Sequence, residues 1–307
     1  MEQSNIIKIL EEHELDQFRM FLETHWKKNH VFIRDSKILD FQHKDVDGNY
    51  TFLISKRSDN EIDSILGYVF TNEKKDSIWL AIWKSINNSG EGFRLLKKLN
   101  SFINPKFIGA IGISEDAQKL YKILGWKLGS TKHYFLNLSY PVLRRNELNK
   151  SQSQYEIVKR IFNVENNPNS FPIKDEFYYE KRFLNHPSYD YVLVYLESLK
   201  LLFIGRVINY LGFNIFRIVD VIGDMNGIKF RDSLLQFMLD NKIDLIEMNM
   251  FDNKYPKIDM LVKKEGEVIP LYIDPFVNDN IELRLGYKCQ NNHVRFFLGD
   301  SDQDRPN

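Results

Sequence analysis

Ser77–Ile86 reads SIWLAIWKSI and runs straight into Asn87–Gly92, NNSGEG; the meeting of these two stretches decides how the chain is read. The first is an almost unbroken apolar run rich in Ile and Trp, the pattern of a strand buried on both faces. After the glycines, Leu95, Leu96, Leu99, Phe102 and Ile103 recur at helical spacing, so a buried strand hands over to a helix N-terminus. The first amides of a helix lack intrahelical partners and carry the positive end of its dipole, and glycines at 90 and 92 let a ligand approach the backbone closely. An anionic group, a pyrophosphate for example, suits that junction.

Working outward, Phe107 to Ile113 reads as a second strand. Ala117, Leu120, Tyr121 and Leu124 then form one face of a helix over Glu115 to Leu124, closed by Gly125 before Trp126. The order strand, Gly-x-Gly, helix, strand, Ala-x-x-Leu-Tyr-x-x-Leu-Gly-Trp resembles the core of the GNAT (Gcn5-related N-acetyltransferase) superfamily over about the first 140 residues. One position departs from the pattern: where the family's turn usually opens with Gln or Arg, this chain has Asn87.

The remaining sequence extends the reading on both sides. Asp16 to Lys28 carries Phe18, Phe21, Leu22, His25 and Trp26 on one face and reads as a helix; Tyr50 to Lys56 and Ile65 to Thr71 read as a hairpin, and Lys132 to Leu138 as a closing strand that brings His133 and Asn137 into the first half. From Ser139 to Asp175 the polar texture and Pro168 and Pro172 predict an inter-domain connection, with a short helix at 155–162. Beyond Glu176 the order begins again: a helix at 178–184, a hairpin, the apolar strand Asn214 to Ile222, the turn Gly223-Asp224-Met225-Asn226-Gly227, a helix, and the strand Asp244 to Met250. We therefore expect an α/β (α+β) fold of two GNAT-like domains in tandem, each a mixed, mostly antiparallel sheet flanked by helices: residues 1–145, a linker at 146–175, and 176–307. In the second turn Asp224 opposes a bound phosphate, and no tyrosine stands where Tyr121 does in the first half, so the second domain is expected to bind the acceptor or to serve structure.

Composition sets the bounds. A length of 307 residues suits two domains of about 150 residues each. Lys plus Arg and Asp plus Glu number 42 each, so no global field recruits nucleic acid or an anionic membrane. The lone Cys289, the charged N-terminal stretch and the lack of an 18-residue apolar run predict a soluble cytoplasmic protein without a membrane partner. His25, His30 and His43 match no standard metal-ligand spacing, and no metal is expected.

The resemblance implies acyl transfer from a coenzyme A thioester, acetyl-CoA or another short acyl-CoA, to an amine. The donor would lie along Trp83, Ile86, Asn87, Asn88, Ser89, Gly90, Glu91, Gly92, Phe93 and Ser114. An oxyanion needs a backbone donor, expected near Ala81 to Trp83, and Tyr121 is the candidate acid for the leaving thiolate. The base stays open among His30, His43, His133 and a water relay. THWKKNH, LDFQH, LYKILGW with KHYFLN, and the terminal GDSDQDRPN resemble tandem-GNAT proteins of bacterial surface-polysaccharide pathways. That implies a small-molecule amino-deoxysugar acceptor, nucleotide-linked, with His25, Arg182, His186, Arg206, Asp220, Asp224, Asp304 and Arg305 as candidate contacts. Two alternatives remain: a GNAT-fold scaffold without chemistry, and an aminoacyl-tRNA-dependent transferase, against which the balanced charge argues.

Overall fold

The computed structural model describes residues 5–86, 90–138, 154–161, 170–264, 282–290, 293–301 and 304. In the first half, β1 (Ile6–Ile9), α1 (Leu15–His25), α2 (Val31–Arg34) and α3 (Ser36–His43) precede β2 (Phe52–Lys56), β3 (Ile62–Phe70) and β4 (Ser77–Ser85). Then come α4 (Glu91–Ile103), β5 (Phe107–Ile111), α5 (Glu115–Ile123), β6 (Lys127–Ser130) and β7 (Lys132–Asn137). The second half holds β8 (Glu156–Val158), α6 (Glu176–Tyr179), β9 (Val192–Leu196), β10 (Leu201–Tyr210) and β11 (Phe213–Ile222). It continues through α7 (Arg231–Asn241), β12 (Leu245–Asp252), β13 (Leu261–Val262), β14 (Arg284–Cys289) and β15 (Arg295–Phe297).

Local chemistry accounts for these elements. Phe18, Phe21 and Leu22 lie on the buried stripe of α1. The Asp35 carboxylate accepts from the amides of Lys37 and Ile38 and starts α3, and the Ser114 hydroxyl does the same for Ala117 at α5. Ile157 and Val158 at 155–162 form an edge strand against β9 where a helix was expected. The helix expected at 178–184 is a short α turn that loosens into a π-helical turn over Glu180–Leu184.

The strands make two sheets, ordered β1-β2-β3-β4-β5-β14-β6 and β13-β7-β12-β11-β10-β9-β8. Read from opposite ends they repeat one arrangement, with one exchange. The strand beside β5 is β14, from the far end of the chain, and the strand beside β12 is β7, from the first half. A single residue, Thr131, separates β6 in the first sheet from β7 in the second. A division near residue 145 therefore separates the chain but not the sheets, and His133 and Asn137 belong to the second sheet rather than the first.

Two devices hold the exchange. Trp79, Phe107 and Leu285 of the first sheet form one cluster with Phe296 and Phe251 of the second, and the first four are fully buried. On the second sheet, Arg217 of β11, Glu247 of β12 and His133 of β7 form a buried chain, with Arg217 Nε 2.6 Å and His133 Nε2 2.7 Å from the Glu247 carboxylate. Burial alone would raise the Glu247 carboxyl, but Arg217 and His133 hold it below the usual glutamate range.

Candidate active site

β4 and β5 run parallel and pair only from Ser77 opposite Phe107 to Leu80 opposite Ala110. β5 ends one residue later, while β4 continues to Ser85 held by β3 alone. The register between them jumps from Leu66 opposite Trp83 to Tyr68 opposite Leu80, so Ala81 and Ile82 bulge where the two strands part. The backbone edge of β4 beyond Leu80 thus faces an opening rather than a strand, in the stretch where an oxyanion donor is expected.

At the head of that opening Gly90 caps α4 with φ 79°, a left-handed conformation that favours glycine. A Cβ on Gly92 would stand 2.7 Å from Ser85 Oγ and 2.9 Å from Trp83 Nε1, so the position admits no side chain without displacing them. Glu91, the acid in the first turn, is buried; it accepts from the Ser55 hydroxyl at 2.8 Å and pairs with Arg94, which takes its charge inward. These features fit an anion at the helix terminus. Asn87, Asn88 and Ser89 lie outside the described residues. Of the other expected donor contacts, Phe93 is exposed, Ile86 packs against the α1 cluster, and the Ser114 hydroxyl is engaged in capping α5.

Tyr121 is enclosed rather than presented. Its ring stacks on Trp126 at 4.3 Å and lies 5.8 Å from Trp83, whose Nε1 donates to Gly92 O at 3.2 Å. Burial raises the phenol above its ordinary value, so it keeps its proton throughout the neutral range.

Of the three histidine candidates, His30 and His43 pack on the same Phe32 ring, at 4.8 and 5.1 Å, and His133 lies apart. His30 is fully buried, accepts from the Phe32 amide as the cap of α2, and meets the Phe32 ring. His133 is the partner of Glu247 in the second sheet, which takes it out of the first opening. His43 is buried against Phe52 with Nδ1 3.1 Å from the Thr51 hydroxyl. It is the one nearest a recess, since Thr51 lines it. His25 lies apart, against Phe21.

The second-half candidates are mostly satisfied by one another. Arg206 forms a paired contact with the Asp304 carboxylate and covers the Tyr189 ring at 4.0 Å, while Tyr191 donates to Asp304 at 2.6 Å. Asp220 is buried with Lys174 at 2.6 Å; Lys174 also pairs with Asp300. Burial pushes Asp220 up to about 7, opposed by Lys174 and reinforced by Asp300. Asp224 is exposed and meets Arg295 at 3.4 Å. His186 Nδ1 accepts from the Ser188 and Tyr189 amides, and its ring meets Phe41 of α3; burial, then the Arg182 charge, brings it down to about 4. Arg305 lies outside the described residues. Asp220 and Asp224 line separate recesses of the second half, and Arg182 lines one that both halves share.

That recess, about 570 Å³ including its open mouth, lies between the halves, bounded by Phe41, Gln42 and Thr51 on one side and by Phe177, Tyr178 and Arg182 on the other. Ser301 also lines it and donates to Leu80 O at 2.8 Å, so its wall reaches the residue at which β4 and β5 part. Gln42 had gone unnoticed in the sequence. Its signal was a carboxamide on the buried face of α3, beside Ile38, Leu39 and His43.

The second sheet repeats the parting, since β11 and β12 pair only from Ile215 opposite Leu245 to Ile218 opposite Met248. Here the gap is filled by the chain itself. β15 pairs with β12 from Met250 to Asp252, Leu298 N donates to Asn249 O, and Gly299 N donates to Val219 O at 2.8 Å. Asp224 was expected to disfavour a phosphate there; the occupied gap is a stronger obstacle.

This fold is that of the GCN5-related N-acetyltransferases. Such a protein from Anabaena variabilis has a TM-score of 0.58 at 12% identity, covering 94% of this chain and 73% of that one. Another, from Kribbella flavida, has a TM-score of 0.53 at 9% identity, covering 93% of this chain and 71% of that one. At these identities the likeness is one of fold. No family model matches the sequence, and no curated protein matches it either.

Proposed function

We propose that the chain is an N-acyltransferase that draws an acyl group from a coenzyme A thioester at the parting of β4 and β5. The observation that carries this reading is the bulged, half-unpaired β4 ending beside a helix whose Gly92 has no room for a side chain. When bound, the thioester supplies an activated acyl carbon; the protein's part is to hold and polarise it. Amides of Ala81 to Trp83 receive the carbonyl oxygen as it takes up charge. The Tyr121 phenol donates a hydrogen bond to the departing sulfur. With a thiol near about 8.5 and a phenol raised above about 10, full transfer of its proton is uphill by about 2 kcal/mol or more, so stabilisation by the hydrogen bond is its main contribution. A water relay past Thr51 and His43 is the route left for the acceptor's proton.

The acetyl group, a nucleotide-linked amino-deoxysugar as acceptor and a place in surface-polysaccharide assembly are what the sequence resemblance implies, and a cytoplasmic setting rests on the single cysteine. Among the described residues no helix is long and apolar enough to cross a membrane. A second reading, a scaffold that has lost the chemistry, is favoured by the Trp83 side chain, which bridges Gly92 and Tyr121 and narrows the crevice.

Calorimetric titration with acetyl-CoA, paired with an assay of free thiol release over a panel of amines and nucleotide-linked amino sugars, separates the two. Micromolar binding at one site per chain with turnover supports the transferase; no heat and no thiol leave the scaffold. Tyr121→Phe is expected to keep donor binding and to slow turnover at least tenfold.

A further inference from the structure

The recess between the halves contains two polar groups that no described residue fully satisfies. Gln42 is 7% exposed, and among the described residues neither its Nε2 nor its Oε1 has a hydrogen-bond partner. Arg182 is 5% exposed; its Nε and Nη2 donate to the carbonyls of Gly299 and Asp304, and its Nη1 meets nothing among the described residues. Both line the same recess, one from each half. Buried polar atoms are ordinarily paired, and two unpaired side chains on one cavity indicate a partner that arrives from outside.

The charge of the lining narrows the chemistry. Arg182 is met by carbonyl oxygens, and among the described residues no carboxylate pairs with it directly. Beside it on the same turn, Lys181 also lines the recess; burial lowers its pKa, and it rests over the Phe177 ring. Asp45, the acid that lines the same recess, is already bound to Lys75 at 2.7 Å. A cationic group would meet repulsion there, and a neutral one would leave the guanidinium uncompensated. Phe41, Phe70 and Phe177 supply apolar surface between these groups, which suits a hydrocarbon or aryl body.

We infer that this recess binds a small carboxylate bearing an apolar body, with the carboxylate oxygens on the Arg182 and Gln42 donors and the body among the phenylalanines. The site stands independently of the proposed acyl donor. If the chain does transfer acyl groups, the contact of Ser301 with both this recess and Leu80 O makes it the place where an amine-bearing acid would wait.

The test is calorimetry on the full chain without any acyl-CoA, using hexanoate and phenylacetate against hexanol, hexylamine and glucosamine. The acids are expected to bind at least tenfold more tightly than the alcohol, and the amine and glucosamine not to bind. Gln42→Leu, which removes only the unpaired amide, is expected to fold and to weaken acid binding at least tenfold. Arg182→Lys keeps a positive charge but not the fork, and is expected to weaken it as well, with circular dichroism reporting whether the fold survives. Equal affinity for acid and alcohol, undiminished acid binding in a folded Gln42→Leu variant, binding of glucosamine in place of the acids, or no probe binding at all would each overturn the inference. Because no donor is present, these outcomes are separate from the acetyl-CoA titration.

Discussion

The first and second sheets part at the same place in their strand order, yet one parting is open and the other is filled by β15 and the residues after it. The difference shows how one fold divides labour. A gap between parallel strands leaves backbone groups unsatisfied, and each half meets that demand differently. In the second half the chain supplies its own strand, and Asp300 and Asp304 beyond it are tied to Lys174 and Arg206. In the first half, among the described residues, no strand continues along β4 on the β5 side beyond Leu80, where Ser301 donates to the Leu80 carbonyl. The second half thereby becomes a frame for the first, and the exchanged strands β7 and β14 make the two inseparable.

If that frame is what keeps the first opening in shape, its buried charges are the point at which the molecule breaks most easily. Glu247→Ala removes the acid between Arg217 and His133 and leaves a guanidinium uncompensated in the second sheet. A loss of about 3–5 kcal/mol is expected, by chemical denaturation of the whole chain in a single transition. Two separate transitions, with the first half unaffected, would show that the exchange does not couple the sheets.

Two glycines at corresponding turns give a smaller and more selective contrast. At Gly223 a Cβ would stand 2.6 Å from the Lys200 carbonyl at φ 111°, so Gly223→Ala meets unyielding backbone and costs about 2 kcal/mol or more of stability. At Gly92 the same Cβ meets side chains rather than backbone: Ser85 Oγ, which can rotate away, and the Trp83 ring, which must shift from its bond to Gly92 O. Gly92→Ala is therefore expected to cost less stability than Gly223→Ala while weakening acetyl-CoA binding about tenfold, or about 1.4 kcal/mol. Unchanged donor affinity would place the donor elsewhere.

The sequence made the first half legible because each element there carries a local mark: an apolar run for β4, the glycines for the turn, and the Leu95, Leu96, Leu99 stripe for α4. It made the succession β9, β10, β11, α7, β12 along the second half legible for the same reason. It did not reveal the exchange, since KHYFLNL is equally apolar-alternating whichever sheet it joins, and nothing local to Thr131 announces a crossing. Asp300 and Asp304 of the terminal GDSDQDRPN cannot be read in sequence as the partners of Lys174 and Arg206 that the fold makes them. Most of the expected sugar contacts and two of the histidines are met by protein groups in the fold, and polarity in sequence does not distinguish a group that binds a ligand from one already bound by its neighbour. Gln42 and Arg182 differ by what they lack, and that is a property of packing.

pH sharpens the contrast between the halves at their contact. His186 joins the second half to Phe41 of α3, and its folded pKa of about 4 lies below the unfolded value of about 6.5. Its contribution is thus complete above about 6.5 and is lost as pH falls toward 4, when the unfolded chain binds a proton the folded one refuses. Asp220 has the opposite sign: raised to about 7, it makes the folded chain the better proton acceptor between about 4 and 7 and so adds stability as pH falls. The two oppose each other, and the readout is the difference between the parent chain and His186→Gln. The variant is expected to lose the histidine's share of the slope, about 1–2 kcal/mol between pH 6.5 and 4 after allowance for partial exposure. Parallel curves would show that the ring is not held neutral.

The smallest expected effect separates a ligand site from a frame most cleanly. A residue retained for packing costs stability when replaced, whereas one retained for a ligand can be a burden to the empty protein. Gln42 holds both carboxamide atoms away from solvent without a described partner, and each such buried group costs about 1–3 kcal/mol in principle. Leucine has nearly the same volume and suits the Ile38 and Leu39 face of α3. Gln42→Leu is accordingly expected to stabilise the unliganded chain by about 1 kcal/mol, read as a rise in the denaturation midpoint at unchanged slope. A fall instead would mean that Gln42 belongs to the frame, its amide paired within the folded protein, and the open half of the molecule would lose its best-marked contact for a second substrate.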